Sequence, residues 1–163
     1  EGLDEGDILL RKTINISDND TSESLFDKLS ILTGDVVLEA IKNYDNIVPI
    51  KQNNEKASYV KMIKKEDGLI NLKNETFLEI DRKVRGYYPW PGAYIMENGK
   101  RIKIFSVKKA ENGENTKGKL IFDVKDGKME VLELQVEGKK RMSAKDYLNG
   151  KSSQCDDFGR TAK

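Results

Sequence analysis

The sequence predicts two structural units, an α/β unit followed by a small β-barrel. The chain has 163 residues, a length that suits one ordinary domain or two small ones. Its charge is unevenly divided, because residues 1–50 carry 4 basic and 11 acidic side chains whereas residues 51–163 carry 25 basic and 17 acidic ones. Helical periodicity dominates the acidic part, and alternating apolar residues with glycine turns dominate the basic part.

Residues 1–48 are interpreted as the last part of a larger α/β domain. Four alternating apolar residues predict one or two short strands, namely Ile8, Leu10, Ile14 and Ile16. Asp20 and Glu23 resemble a capping box before an amphipathic helix of about 22–43, which Gly34 could interrupt. A unit this small cannot bury both faces of a strand, and the chain opens without methionine. We therefore expect a fragment whose earlier strands are missing.

Residues 49–67 are predicted to be an extended linker, because they are polar and hold few apolar anchors. Residues 68–163 follow as the barrel domain. A helix is predicted first, over about 75–86, with Asn74 as its cap and with Phe77, Ile80 and Val84 aligned on one side. Gly86 is expected to end this helix by taking the left-handed conformation.

Residues 85–94, RGYYPWPGAY, are interpreted as a stiff, extended corner between this helix and the first strand. Tyr88 and Trp90 each precede a proline, which disfavours helical geometry, and Gly92 allows the turn out of the corner. We expect Trp90 to be buried as an anchor of the core. The alternative is an exposed ring on which a nucleic-acid base stacks.

Two hairpins follow, with turns predicted at Asn98-Gly99 and at Asp126-Gly127. Alternation in the second hairpin puts two sets of side chains on opposite faces: Val131, Glu133 and Gln135 on one, Leu132, Leu134 and Val136 on the other. Four short strands with glycine turns indicate a small barrel. A short helix closes the domain, capped by Ser143 and stopped by Gly150.

Composition excludes several kinds of site. Histidine is absent and Cys155 is the single cysteine, so the chain alone cannot use histidine as a base or build a Cys₄ zinc site. A lone cysteine excludes an internal disulfide and fits a reducing cytoplasm, and we interpret Cys155 as inert. Neither a run of 18 apolar residues nor a signal peptide is visible. We therefore expect a cytoplasmic protein with no metal and no membrane partner.

Four stretches resemble the methionyl-tRNA formyltransferase family in order and spacing, over essentially the whole chain. They are GLDEGDILL at 2–10, DTSESLFDKL at 20–29, VRGYYPWPGAY at 84–94 and LQVEGKKRMSAKDYLNG at 134–150. The resemblance implies a Rossmann-like catalytic domain that holds a folate, followed by an OB-like barrel that helps to hold tRNA. It implies transfer of a formyl group from 10-formyltetrahydrofolate to the α-amino group of methionyl initiator tRNA, a step of translation initiation.

The resemblance also implies the site residues of the first unit. The family's catalytic set is an Asn, a His and an Asp, of which only the aspartate maps here, onto Asp4. That carboxylate would orient and charge-tune the His and a water. The Asn and His would lie before residue 1, so we expect the chain alone to be inactive. Folate contacts are assigned to the flanking residues Gly2, Leu3 and Glu5.

The basic part is expected to contact tRNA phosphates. Eight candidates are Lys100, Arg101, Lys103, Lys108, Lys109, Lys139, Lys140 and Arg141. Two other functions stay open: a non-catalytic RNA-binding module with the acidic part as a docking arm, and a related formyltransferase that acts on a sugar-nucleotide amine. The intact protein is expected to be a monomer, whereas an exposed strand edge near residues 8–16 could make the fragment self-associate.

Overall fold

The computed structural model describes residues 4–111 and 117–152. The chain divides into two compact units, Glu1–Met62 and Ile63–Lys163, and this division falls inside the segment predicted as a linker. The helices and strands are α1 (Ser22–Lys42), α2 (Phe77–Gly86), β1 (Ala93–Glu97), β2 (Lys100–Ala110), β3 (Leu120–Val124), β4 (Gly127–Val136), β5 (Met142–Ser143) and α3 (Ala144–Ser152). None of these helices, as far as the described residues go, is long and apolar enough to cross a bilayer.

Helix α1 makes up most of the regular structure of the first unit and confirms the predicted helix. It runs unbroken through Gly34. None of its residues is buried, and apolar side chains such as Phe26, Ile31 and Ile41 are exposed. Since these three point in different directions around the helix, α1 carries more apolar surface than its own unit covers.

The start of α1 differs from the predicted capping box of Asp20 and Glu23. Thr21 is the N-cap, and its Oγ1 accepts a hydrogen bond from Ser24 N–H at 3.1 Å while Ser24 Oγ accepts one from Thr21 N–H at 3.0 Å. Asp20 lies one residue outside the helix and pairs with Lys28 at 2.6 Å. This contact holds the pKa of the buried Asp20 carboxyl well below its ordinary range. The prediction was off by one position because Thr21 and Ser24 repeat the same three-residue spacing.

The strands predicted within residues 8–16 are not formed. Ile8 alone pairs, in an isolated antiparallel bridge to Ile50 with two N–H···O bonds of 2.9 Å. An alternating sequence predicts which face each side chain would occupy in a strand. A strand also needs a neighbouring strand whose carbonyls accept its N–H groups, and residues 9–16 have none in the described part of the chain. The predicted strand edge for self-association is therefore not observed.

The second unit is built on a five-stranded antiparallel sheet with the order β1-β2-β4-β3, in which β5 also pairs with β4. Both predicted hairpins are confirmed. Asn98 and Gly99 form the first turn with φ values of 49° and 73°, as a tight two-residue hairpin turn requires. In the second hairpin Val124 pairs with Gly127, so the turn lies one residue earlier than predicted.

The pairing of β2 with β4 shifts in the middle of both strands. The partners there are Ile104–Leu134, Ser106–Glu133 and Val107–Val131. These shifts are β-bulges, which reverse the alternation along the strand. As a result Val131 and Leu134 are both buried, although strict alternation placed them on opposite faces. The prediction that Val131 and Leu134 lie on opposite faces was therefore wrong.

The core of the second unit lies between the inner face of the sheet and α2. The most completely buried side chains are Ile80, Met129, Val131 and Leu134. Ile80 and Val84 form the buried side of α2, as its periodicity predicted. On the outer face of the sheet, Lys103 of β2 and Gln135 of β4 are partly exposed, whereas Tyr94 of β1 is buried.

The glycines expected to end two helices lie inside them instead. Helix α2 includes Gly86, which is absent from the glycines with positive φ, and α3 continues through Gly150 to Ser152. A single glycine weakens a helix by about 1 kcal/mol but does not by itself terminate it. The predicted cap of α3 is confirmed, because Ser143 Oγ accepts a hydrogen bond from Asp146 N–H at 3.1 Å.

Helix α2 begins at a capping box of Thr76 and Glu79, not at the predicted Asn74 cap. Thr76 Oγ1 accepts from Glu79 N–H at 3.3 Å, and the Glu79 carboxylate accepts from Thr76 N–H at 2.7 Å. The second bond holds the pKa of Glu79 below its ordinary range. Ionised Glu79 therefore stabilises the start of α2.

Thr76→Ala is expected to lower the free energy of unfolding by about 1 kcal/mol at neutral pH, the usual loss at an N-cap.

The contribution of Glu79 to the stability of α2 depends on pH. It is fully present above the ordinary pKa of glutamate and is lost as the pH falls through the lowered pKa of the folded state. The free energies of unfolding of the parent chain and of Glu79→Gln, measured by urea denaturation, should therefore converge as the pH falls below the ordinary pKa of glutamate. A difference that does not change with pH would contradict this role.

Candidate nucleic-acid interface

Cations and aromatic rings share the outer face of the sheet, where the buried Tyr94 ring lies beneath Arg101. Arg101 and Lys103 flank the buried Ile102 on β2, and Lys103 lies between Tyr94 of β1 and Gln135 of β4. We call this surface the basic–aromatic face. Its members are Tyr94, Arg101, Lys103, Phe105, Gln135 and Arg141.

Two guanidinium groups lie over two rings of this face. Arg101 Cζ is 4.2 Å from the centre of the Tyr94 ring, and Arg141 Cζ is 4.3 Å from that of Phe105. Tyr88 contacts the same Phe105 ring edge-on, with centroids 6.3 Å apart. These cation–π contacts fix the cations in place at the surface.

Arg141 is also fixed by an ion pair with Glu133 of β4. The hydrogen bond to Glu133 raises the pKa of Arg141 further above its ordinary value. The guanidinium is therefore charged at any physiological pH. Since β5 pairs with β4 directly after Arg141, the strand pairing keeps this residue beside Phe105.

A hollow of about 260 Å³ opens between Arg101 and Lys103. Its other walls are Gln135 and the turn that follows β4. Gln135 Nε2 donates a hydrogen bond to Lys139 O at 2.8 Å, and Glu137 accepts one from Arg101 N–H at 3.1 Å. These bonds hold the turn in place, so two cations flank a preformed concave surface of the kind that admits a phosphate group.

Three of the eight predicted phosphate contacts meet on this face: Arg101, Lys103 and Arg141. Lys100 and Lys139 instead line a second hollow of about 460 Å³ between the first hairpin and α3. Tyr147 also lines it, and burial, with Glu97 beside it, raises the pKa of Tyr147 to about 12. Lys100 and Lys139 therefore lie beside acidic and apolar residues, and they are not part of the basic–aromatic face.

The remaining predicted contacts lie elsewhere. Lys140 is exposed in the turn after β4. Lys108 is at the far end of β2, where it forms an ion pair of 3.2 Å with Glu130, and Lys109 lines a third hollow beside Lys128. The structure thus divides the basic residues by strand position, although they are close together in the sequence. Which of them contact a nucleic acid stays a prediction.

Sequence reasoning missed the uncharged members of the face. Tyr94, Phe105 and Gln135 were not proposed as site residues. A signal for two of them was present, because Phe105 and Gln135 follow the period-two alternation that also places Arg101 and Lys103 outward. The Tyr94 position depends on the cross-strand register, which the Asn98-Gly99 turn fixes.

Trp90 is not the core anchor that was expected, because 58 % of it is exposed. The loop that carries it is compact, since Gly92 N–H donates a hydrogen bond to Tyr87 O at 2.9 Å and closes it. Pro91, in place of Trp90, is buried. Both X–Pro bonds of the loop are cis. Because the hydrogen bond from Gly92 to Tyr87 closes the loop, the prediction of an extended corner was wrong. Gly92, which was predicted to allow the turn, has a φ of 79°.

The first unit presents Asp4 in an exposed turn with a φ of 61°. Gln52 Nε2 holds this turn by donating to Asp4 O at 2.8 Å and to Gly6 O at 2.7 Å. Glu5 is exposed beside Asp4, whereas Gly2, Leu3 and Cys155 lie outside the described residues. The turn therefore presents an exposed carboxylate at Asp4. Nowhere in the described ranges do three His, Cys, Asp or Glu side chains converge as a metal site would require.

Comparison of the sequence with known proteins identifies a family whose model matches this chain. The model of the family described as formyl transferase, C-terminal domain, matches residues 62–152. Methionyl-tRNA formyltransferase from Caldicellulosiruptor saccharolyticus is 39 % identical over 161 residues, which cover 92 % of this chain and 51 % of that protein. The protein of the same name from Geotalea daltonii is 40 % identical, over 91 % of this chain and 50 % of that protein. The chain spans about half the length of the curated relatives it matches.

Solved structures share the fold. A variant of HypX from Aquifex aeolicus matches with a TM-score of 0.67 and 17 % identity, over 97 % of this chain and 30 % of that one. HypX in complex with tetrahydrofolic acid matches with a TM-score of 0.64 and 18 % identity, over 91 % and 28 %. An N-formyltransferase from Helicobacter canadensis, in complex with folinic acid and dTDP-3-aminofucose, matches with a TM-score of 0.59 and 22 % identity, over 80 % and 51 %. At these identities the likeness concerns the fold alone.

Proposed function

The chain belongs to the family of formyl transferase C-terminal domains, and we propose that it forms the tRNA-holding part of a methionyl-tRNA formyltransferase. The observation that carries the proposal is 39–40 % identity to proteins of that name across 91–92 % of the chain. The resemblance carried by the four sequence stretches is thereby confirmed. In this proposal the whole protein is a cytoplasmic monomer that formylates the α-amino group of methionyl initiator tRNA.

The basic–aromatic face supports a role in holding RNA. Its cations attract phosphates without regard to sequence, and this attraction weakens as salt rises. A five-stranded antiparallel sheet in which β4 pairs with β2, β3 and β5 is also the strand content of an OB-like barrel, a fold that often binds oligonucleotides. We therefore propose that the barrel domain is OB-like and that this face meets the tRNA.

The chain's part in the chemistry is small. Acyl transfer to an amine needs a group that takes the amine proton and donors that stabilise the developing oxyanion. We propose 10-formyltetrahydrofolate as the donor, which supplies the formyl carbon when it is bound. The exposed turn at Asp4 offers one carboxylate, and the chain contains no histidine. We therefore assign the chain an orienting role, through Asp4.

The two other functions are less well supported. The likeness to the amino-sugar N-formyltransferase rests on 22 % identity and concerns the fold alone, whereas the methionyl-tRNA formyltransferases are nearly twice as similar in sequence. A purely non-catalytic RNA-binding module finds no named relative among the proteins reported above. Neither alternative is favoured.

Binding of initiator tRNA tests the proposal. The triple variant Arg101→Gln, Lys103→Gln, Arg141→Gln removes the three cations that meet on the face. If each neutralises one phosphate, the slope of log K against log salt should fall by roughly 2–3, and affinity near physiological salt should fall by about one order of magnitude or more. The measurement is a titration of labelled initiator tRNA with the chain at several salt concentrations.

The matched control is Lys73→Gln, Lys125→Gln, Lys128→Gln. It makes the same change in net charge at three exposed lysines near the start of α2 and the β3–β4 turn, a region joined by a hydrogen bond of 3.1 Å from Lys125 N–H to Glu75 O. This control should leave the slope almost unchanged. Equal losses of affinity and of salt slope in both triple variants would show that tRNA binding depends only on the total charge of the chain. That result would refute the proposed role of the basic–aromatic face.

A further inference from the structure

We propose that Trp90 stacks on one unpaired base of the RNA that the basic–aromatic face binds. The inference rests on the proposed function and names the part of the RNA that this site recognises. Phosphate contacts do not tell a paired base from an unpaired one. A ring that stacks on a base face does, because both faces of a paired base are already covered by its neighbours in the helix.

Trp90 is the ring available for stacking. In the described part of the second unit it is the one aromatic side chain that is mainly exposed. Tyr94 and Phe105 are the other rings of the face, and each already has a guanidinium over it at 4.2 and 4.3 Å. A base that approaches this face therefore finds cations above those two rings and a bare ring at Trp90.

The loop presents this ring rigidly. Pro89 and Pro91 fix φ on either side of Trp90, Pro91 is buried, and the hydrogen bond from Gly92 N–H to Tyr87 O closes the loop at 2.9 Å. The side chain is thus exposed while its backbone is held. Since little freedom remains to be lost on binding, stacking costs less entropy than it would on a mobile loop.

Both ends of the loop are tied to the face. Tyr88 packs edge-on against Phe105, and a side chain added at Gly92 would lie 3.8 Å from the Lys103 stem. Two chain steps reach at most about 8 Å, so the Trp90 Cα lies within about 8 Å of the Cα atoms of Tyr88 and Gly92. An RNA strand whose phosphates contact Lys103 and Arg141 is therefore close enough to place a base on Trp90.

The chain contains a single tryptophan and six tyrosines, so fluorescence excited at the red edge, where tyrosine does not absorb, reports on Trp90 alone. We expect a single-stranded RNA oligonucleotide to quench it, and the same strand annealed into a duplex to leave it unchanged at equal occupancy. We also expect Trp90→Leu to weaken binding of initiator tRNA by about tenfold, with the same salt slope as the parent chain because no charge is removed. Trp90→Phe keeps a π-face and should restore most of the affinity.

Leu78→Ala is the matched control, since Leu78 is a half-exposed apolar residue on the solvent side of α2, and it should bind as the parent does. Unquenched fluorescence in a saturated tRNA complex, quenching by duplex and single strand alike, or equal affinity of Trp90→Leu would each overturn the stacking while tRNA binding itself stands. Absence of any tRNA binding by the parent chain would overturn the proposed function and the stacking with it. The fluorescence experiment uses the parent chain, so it tests the stacking of Trp90 even if Trp90→Leu fails to fold.

Discussion

Asp4→Asn is expected to lower kcat for formylation of methionyl initiator tRNA by about 10²–10⁴-fold, with KM changed little. The protein for this assay is the one translated from the complete reading frame that contains this chain, supplied with 10-formyltetrahydrofolate. An orienting carboxylate acts when charge develops on its partner, so its loss falls on the chemical step and not on substrate binding.

The structure indicates that this substitution leaves the backbone of the turn unchanged. Asp4 has a φ of 61°, a conformation that asparagine tolerates as readily as aspartate. The hydrogen bonds from Gln52 go to the main-chain carbonyls of Asp4 and Gly6, so they survive the change of side chain. The variant therefore removes a charge without moving the turn.

Asp7→Asn is the control, since Asp7 is an exposed carboxylate three residues farther along the same segment. It should keep the parent kcat. An unchanged kcat in Asp4→Asn, or an equal fall in both variants, would remove Asp4 from the reaction. Running the assay beside a dTDP-linked amino sugar tests the substrate as well, because formylation of the sugar and not of the tRNA would overturn the proposed function.

Local signals in the sequence predicted the regular elements of the second unit. The Asn98-Gly99 pair selects one tight turn, and that turn fixes which residues of β1 and β2 face each other. Helix α2 was predicted because Ile80 and Val84 recur at helical spacing. Both signals act over a few residues, so no knowledge of the rest of the chain was needed.

Features that depend on distant partners were not predictable in this way. The alternation at residues 8–16 has no neighbouring strand to complete it within the described residues, and the bulge that buries Val131 arises only when β4 meets β2. Trp90 was expected in the core because of its size. Its exposure depends on the closed loop that turns Pro91 inward instead.

The candidate site was predictable in composition but not in arrangement. The sequence shows the basic residues as clusters, such as the run from Lys139 to Arg141. In the structure Arg141 reaches Phe105 while Lys139 lines the hollow beside α3. Neighbours in a turn point in different directions, so clustering in the sequence overstates how many cations share one surface.

Gly68→Ala is expected to destabilise the second unit by about 3 kcal/mol or more, an overpacking effect at the upper end of its range. A Cβ at Gly68 would lie 2.2 Å from Gly92 O. That atom belongs to the backbone and cannot rotate away. The two segments must therefore separate, which strains the neighbouring hydrogen bond of 2.8 Å from Ile70 N–H to Tyr94 O and uncovers the buried Ile70 side chain.

Gly86→Ala makes the same chemical change where nothing lies within 4 Å of the new Cβ. Gly86 is helical, so alanine should stabilise α2 by about 0.5–1 kcal/mol. The two variants thus move the urea midpoint in opposite directions, as far-UV circular dichroism of the whole chain would record. Equal midpoints for Gly68→Ala and the parent would mean that Gly68 and Gly92 do not approach so closely.

This contact also connects the fold to RNA binding. Gly92 closes the loop that carries Trp90, so the backbone of Gly68 supports that loop from the side of the core. A Gly68→Ala chain that still folds should therefore show weaker quenching of Trp90 by single-stranded RNA, whereas Gly86→Ala should be quenched as the parent is. Normal quenching in a destabilised Gly68→Ala chain would show that the loop keeps its shape without this support, and that Pro89 and Pro91 alone fix the position of the ring.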